Sequence, residues 1–173
     1  MPDEVKKITL SVDMIFKVQG FFDKLHPQDI DLSVFKNFER DTLQVGNILD
    51  SIQVERFANE SAKLLTHCKN YAAVIFAFFR EANRRHERVK AQVFLVDAEM
   101  EWDKKQATAE KPKNITDKIR EAYVKDSDRV NEIKERLIQW EALDKWCSDT
   151  YNDITNKHNW YKKLFDRVCQ KKD

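Results

Sequence analysis

The sequence predicts an all-α protein: a long antiparallel helical hairpin with a small, mostly helical N-terminal appendage, assembled as a homo-oligomer. Three observations carry that expectation. The 173 residues include only two glycines (Gly20, Gly46) and three prolines (Pro2, Pro27, Pro112), so helix breakers nearly vanish after residue 46. Apolar residues recur at alternating three- and four-residue spacings along two long stretches, which is the period of an amphipathic helix. A polar segment, DKKQATAEKPK (103–113), separates those stretches and ends near a proline.

The elements follow in order. Residues 1–50 form the appendage. ITLSV (8–12) alternates like a strand, and residues 13–25 carry helical spacing through Ile15, Val18, Phe22 and Leu25. HPQD (26–29) ends that segment, and Ser33 is placed to cap a short helix through Phe35 and Phe38. The second domain, residues 51–173, is the hairpin. Its first helix spans 51–104, with Leu64, Cys68, Tyr71, Ile75, Phe78, Ala82, Val89, Val96 and Met100 on one stripe. Within it YAAVIFAFF (71–79) is apolar almost all round, as befits a segment central in a bundle or held in a subunit interface.

After the turn at 103–113, one helix is expected over 114–172, capped by Asn114. From Val130 it carries a heptad pattern. One register holds Ile133, Trp140, Cys147, Ile154, Tyr161 and Val168, and the other holds Val130, Leu137, Asp144, Tyr151, His158 and Phe165. Leu143, Trp146, Trp160 and Leu164 widen the apolar face beyond a two-stranded seam. The expected oligomerisation residues are Ile133, Leu137, Trp140, Asp144, Cys147, Tyr151, Ile154 and His158, where the polar Asp144 and His158 would set register across an interface. Equal rise in both helices places opposite one another positions whose numbers sum to about 216.

Composition bounds the function. A net charge of +1 argues against uniform attraction to polyanions, and the longest apolar run falls far short of the roughly 20 residues of a membrane span. The three cysteines, Cys68, Cys147 and Cys169, are odd in number and widely spaced, and no signal segment is visible, so a reducing cytoplasm is expected. Phosphate-cradling loops need glycine, and a catalytic set needs a nucleophile, a base and a loop to hold them, so neither an enzyme nor a cofactor is expected. No CxxC or HxxxH spacing occurs, and the adjacent His67 and Cys68 point about 100° apart on a helix, so no metal site is expected.

Charge is blocked along the chain. Residues 80–90 carry five basic and two acidic groups, and the last 17 residues carry six and two. Cations interleaved with aromatics suit single-stranded nucleic acid, where rings stack on bases and cations follow phosphates. The candidate DNA-binding residues are Arg80, Arg84, Arg85, Arg88 and Lys90 in the first block. In the second they are Lys157, Trp160, Lys162, Lys163 and Arg167.

The segment KNITDKIREAYVKDSDRVNEIKERLIQWEALDKWCSDTYNDITNKHNWYKKLF (113–165), with its acidic YVKDSDRV (123–130), its WEALDKWCS (140–148), then Ile154 and a basic, aromatic end, resembles the UvsY family of phage recombination mediators. The resemblance spans roughly residues 65–168. It implies a cytoplasmic, non-enzymatic helical protein that forms a ring with copies of itself. It also implies binding to single-stranded DNA and contacts with a single-strand-binding protein and a RecA-like recombinase. The family's basic DNA-contacting pair falls here on Asp97 and Glu99, so either the basic blocks around Arg84 and Lys162 hold DNA or this chain does not bind DNA directly. The alternative is a helical scaffold or adaptor, such as a phage assembly protein or host-protein inhibitor, without DNA affinity.

Overall fold

The computed structural model describes residues 7–36, 51–108, 110–111 and 113–170. Among them helix dominates and no strand occurs, so the chain is all-α. The ITLSV alternation produces only an isolated parallel bridge between Ile8 and Ile30, held by Ile8 N donating to Asp29 O at 2.7 Å and Asp31 N to Ile8 O at 2.9 Å.

Residues 13–25, expected as one helix, begin as a 3-10 turn, Val12–Lys17, and become α-helical only over α1, Val18–Phe21. Ser11 accepts from Asp13 N at the start of that turn. A second 3-10 turn, Pro27–Asp29, follows, with proline at its first position, where its missing N–H costs nothing. The next helical turn begins at Ser33, but Asp31 caps it, its Oδ1 accepting from Ser33 N at 2.9 Å. The amides that a Ser33 cap would need, Phe35 N and Lys36 N, donate instead to Leu32 O at 3.2 and 3.4 Å. Phe38 lies outside the described residues.

The first long helix is α2, Ser51–Gln92. It runs through a π turn, Val93–Asp97, into α3, Ala98–Gln106, with Ala98 N bonded to Val93 O. Helix therefore invades the segment expected as a turn. Trp102 Nε1 donates to Lys113 O at 2.7 Å and Gln106 Oε1 accepts from Lys113 N at 3.0 Å, so side chains at the end of α3 tie down the returning loop. Pro112 lies outside the described residues.

The single helix expected over 114–172 is two helices. The first, α4, is Asp117–Asp126, and its cap position is Thr116, in extended backbone, rather than Asn114. The second, α5, is Asp128–Gln170. Ser127 between them is extended, with ψ 113, and its Oγ accepts from Val130 N at 3.4 Å. The run Asp126–Ser127–Asp128 offers three short polar side chains that compete for backbone amides, and Asp128 suits the positive end of the new helix.

The chain divides into two compact units, residues 1–77 with 142–173, and residues 78–141. The division falls inside α2 and α5. In the first unit Leu10, Phe22, Leu25, Ile30 and Phe35 are buried with Val54, Leu64, Val74 and Ile75 of α2. Phe35 packs edge-on against Tyr71 of α2 at 5.4 Å and Trp146 of α5 at 5.8 Å. Trp146 thus widens the face of α5 because the N-terminal segment covers it. Phe57 stacks on Tyr161, Ser61 meets His158, and Cys68 meets Cys147, so residue numbers rise along α2 as they fall along α5.

In the second unit Phe78 stacks on Trp140, with centroids 4.8 Å apart and planes 21° apart. Val89, Val93 and Val130 form a core against which Tyr123, Val124 and Ile133 pack. Arg120 lies 5.8 Å from the Phe94 ring and bonds Glu99 at 3.4 Å, holding α4 to the π turn and α3.

Candidate nucleic-acid interface

The basic end of α5 is built around Trp160. Lys157, Lys163 and Arg167 stand at −3, +3 and +7 from it, spacings that place all four on one helix face. Trp160 is 57% exposed. Tyr161, one residue on and turned by about 100°, is 5% exposed and stacks on Phe57 at 5.5 Å. Burial pushes the Tyr161 hydroxyl above its ordinary range. Trp160 meets Tyr161 edge-on at 5.0 Å. A buried ring therefore braces an exposed one, and the indole presents a face to solvent among cations. Lys163 and Arg167 are exposed and Lys157 is half-buried. Lys162 is exposed but lies two positions from Trp160, on another side of the helix. Arg56 of α2, whose guanidinium lies 5.2 Å from the Phe57 ring, adds a cation on the same aromatic cluster.

The block in α2 is differently organised. Arg80, Arg84 and Arg88 share a face at four-residue spacing, and Lys90 is exposed. Glu81, only 8% exposed, receives both Arg84 Nε at 3.0 Å and Arg85 Nε at 2.9 Å. Arg85 is turned toward this carboxylate, with 27% of its side chain exposed. Arg84 and Arg85 are thus already engaged, which local charge counting does not reveal. Of the acids at the positions the resemblance would make basic, Glu99 bonds Arg120 and Asp97 ends the π turn.

The residues expected to join copies of the chain are largely used within it. Trp140, Cys147 and Ile154 are buried inside a single chain, so their apolar surface is already covered before any second copy arrives. The reason is that the partner stripe lies on α2 of the same chain, at Phe78, Cys68 and their neighbours. Ile133 packs on the Val89–Val130 core. Leu137, Asp144, Tyr151 and His158, in the other register, are half-buried. Lys69 lies 5.9 Å from the Tyr151 ring. Burial raises the Asp144 carboxyl above the usual carboxylate range. His158 Nδ1 meets Ser61 Oγ at 2.9 Å and Ala58 O at 3.2 Å, so this polar seam residue finds its partners on α2.

Sequence reasoning passed over Phe57, Ser61 and Glu81. The first two stand four residues apart, on the line that continues to Leu64 and Cys68, and that spacing was the available signal. It also missed a groove of about 370 Å³ beside the π turn, lined by Glu87, Lys90, Ala91, Phe94, Leu95, Glu121 and Val124. π turns arise from no simple sequence pattern.

Among the described residues no three His, Cys, Asp or Glu side chains gather to hold a metal ion, and no helix is long and apolar enough to cross a membrane. No protein-family model, curated protein or solved structure matches this chain.

Proposed function

We propose that this chain is a recombination mediator of the UvsY type, which binds single-stranded DNA as a homo-oligomer and helps load a RecA-like recombinase onto DNA covered by single-strand-binding protein. The observation that carries the DNA reading is Trp160, 57% exposed and flanked on its own helix face by Lys157, Lys163 and Arg167. An indole face offers stacking that tolerates any base, and the cations follow the backbone. The chain acts as a long antiparallel hairpin, a reading supported by the opposed numbering of the α2–α5 contacts inside each unit. Copies meet through the half-buried Leu137, Asp144 and Tyr151, since the other register is covered and His158 is engaged with Ser61 and Ala58 of α2.

The test is binding of a fluorescein-labelled oligo-dT by anisotropy over a salt series. Trp160→Ala weakens binding roughly tenfold, as removal of one stacked base requires, while leaving the fold unchanged. Lys163→Glu with Arg167→Glu lowers the slope of log affinity against log salt by about 0.7 for each phosphate that is no longer neutralised. Absence of binding at low salt, or a Trp160→Ala affinity equal to the parent, overturns the proposal.

A second reading, a helical adaptor without DNA affinity, is favoured by one observation. Exposed Leu95, Val96 and Met100 stand among Asp97, Glu99 and Glu101, an apolar and acidic surface suited to protein rather than to phosphate. Light scattering with and without oligo-dT separates the two, because only the mediator changes mass with DNA.

A further inference from the structure

Two thiols meet inside the first unit. Cys68 of α2 and Cys147 of α5 are free, and both are 0% exposed. Each reaches across to the other's backbone: Cys68 Sγ donates to Cys147 O at 3.6 Å, and Cys147 Sγ donates to Cys68 O at 3.9 Å. The facing Cys147 side chain eases loss of the proton from Cys68, while Cys147 is held protonated by the facing Cys68 and by burial. A reciprocal contact of this kind brings the two residues face to face across the helix pair, the juxtaposition a disulfide requires.

We propose that Cys68 and Cys147 are an oxidation site that closes to an intramolecular disulfide, with a hydroperoxide such as hydrogen peroxide as the oxidant. The Cys68 thiolate attacks one peroxide oxygen, forming an S–O bond as the O–O bond breaks, and the departing hydroxide takes a proton and leaves as water. Cys147 then attacks the sulfenic sulfur, so the S–S bond forms and the S–O bond breaks, and a second water leaves with the Cys147 proton. Two thiols lose two electrons in all, and one peroxide gains them. The new bond joins positions 79 apart and locks α2 to α5 within this unit. Because both sulfurs are shielded, the reaction waits on local opening and runs more slowly than oxidation of the exposed Cys169. Cys169 cannot substitute for either partner. It lies on α5 about 33 Å along the helix from Cys147, beyond disulfide reach.

The test uses the full chain carrying Cys169→Ser, an exposed position whose replacement leaves the fold intact. After hydrogen peroxide treatment under native conditions, the chain is unfolded and alkylated. The expected result is loss of both remaining thiols together, an intact mass lower by two hydrogens, and a digest in which the Cys68 and Cys147 peptides are joined. The melting temperature rises by roughly 10 °C, and dithiothreitol reverses all of it. Two results overturn the proposal. One is gain of oxygen mass at either cysteine without linkage. The other is persistence of both thiols when peroxide exposure is prolonged well beyond full oxidation of Cys169 in the parent chain and sub-denaturing urea promotes local opening.

Discussion

Replacing Trp140 separates two opposed contributions of its indole. The ring is fully buried and stacks on Phe78 at 4.8 Å, yet its buried Nε1 has no hydrogen-bond partner among the described residues. Truncation to alanine removes the packing and the stacking. Buried tryptophans lose about 3–5 kcal/mol on such a change, from transfer and cavity terms together. Here the deleted ring also carries away an unsatisfied N–H, which alone costs about 1–3 kcal/mol. The net loss for Trp140→Ala is therefore about 2 kcal/mol. Trp140→Phe keeps a ring against Phe78 and gives up about two methylene equivalents of burial, or about 1.6 kcal/mol. It also removes the stranded donor, so the two terms nearly cancel and stability stays within about 1 kcal/mol of the parent. Urea unfolding followed by far-UV circular dichroism measures both, with the slope against denaturant unchanged if the change lies in the folded state. A Trp140→Phe loss as large as that of Trp140→Ala would refute the stranded donor. A Trp140→Ala loss below about 1 kcal/mol would refute burial within one chain.

Two further substitutions probe the charged groups. Burial raises the Asp144 carboxyl, so the folded chain holds this proton to higher pH than the unfolded chain. Stability then falls as pH rises from the unfolded through the folded pKa, and Asp144 is a net cost above that window. Asp144→Asn should accordingly melt higher than the parent at neutral pH and no higher in acid below the ordinary carboxylate range, as thermal melts at the two pH values will show. Glu81→Gln weakens the hold on Arg84 and Arg85 and should cost about 1 kcal/mol of stability in urea unfolding. If the α2 block contacts DNA, the same change raises oligo-dT affinity at low salt, and an unchanged anisotropy titration excludes that block.

Periodicity and the scarcity of glycine and proline were enough to establish an all-α chain, because both act on every residue of a helix whatever its neighbours. Local chemistry also located the aromatic, basic end of α5, since Trp160 and its cations share a face by spacing alone. Where a helix breaks was harder. Ser127 stops one helix and caps the next, and the heptad pattern begins only at Val130, past the break, so nothing in it marked the boundary. The division of partners was beyond the sequence altogether. A heptad states that Trp140, Cys147 and Ile154 seek an apolar neighbour, but burial is indifferent to whether that neighbour belongs to the same chain. Only the tertiary structure decided that Phe78 and Cys68 meet Trp140 and Cys147. It likewise brought Ser61 to His158 and turned Arg85 onto Glu81, so that part of a seam and part of a charge block became contacts within the chain.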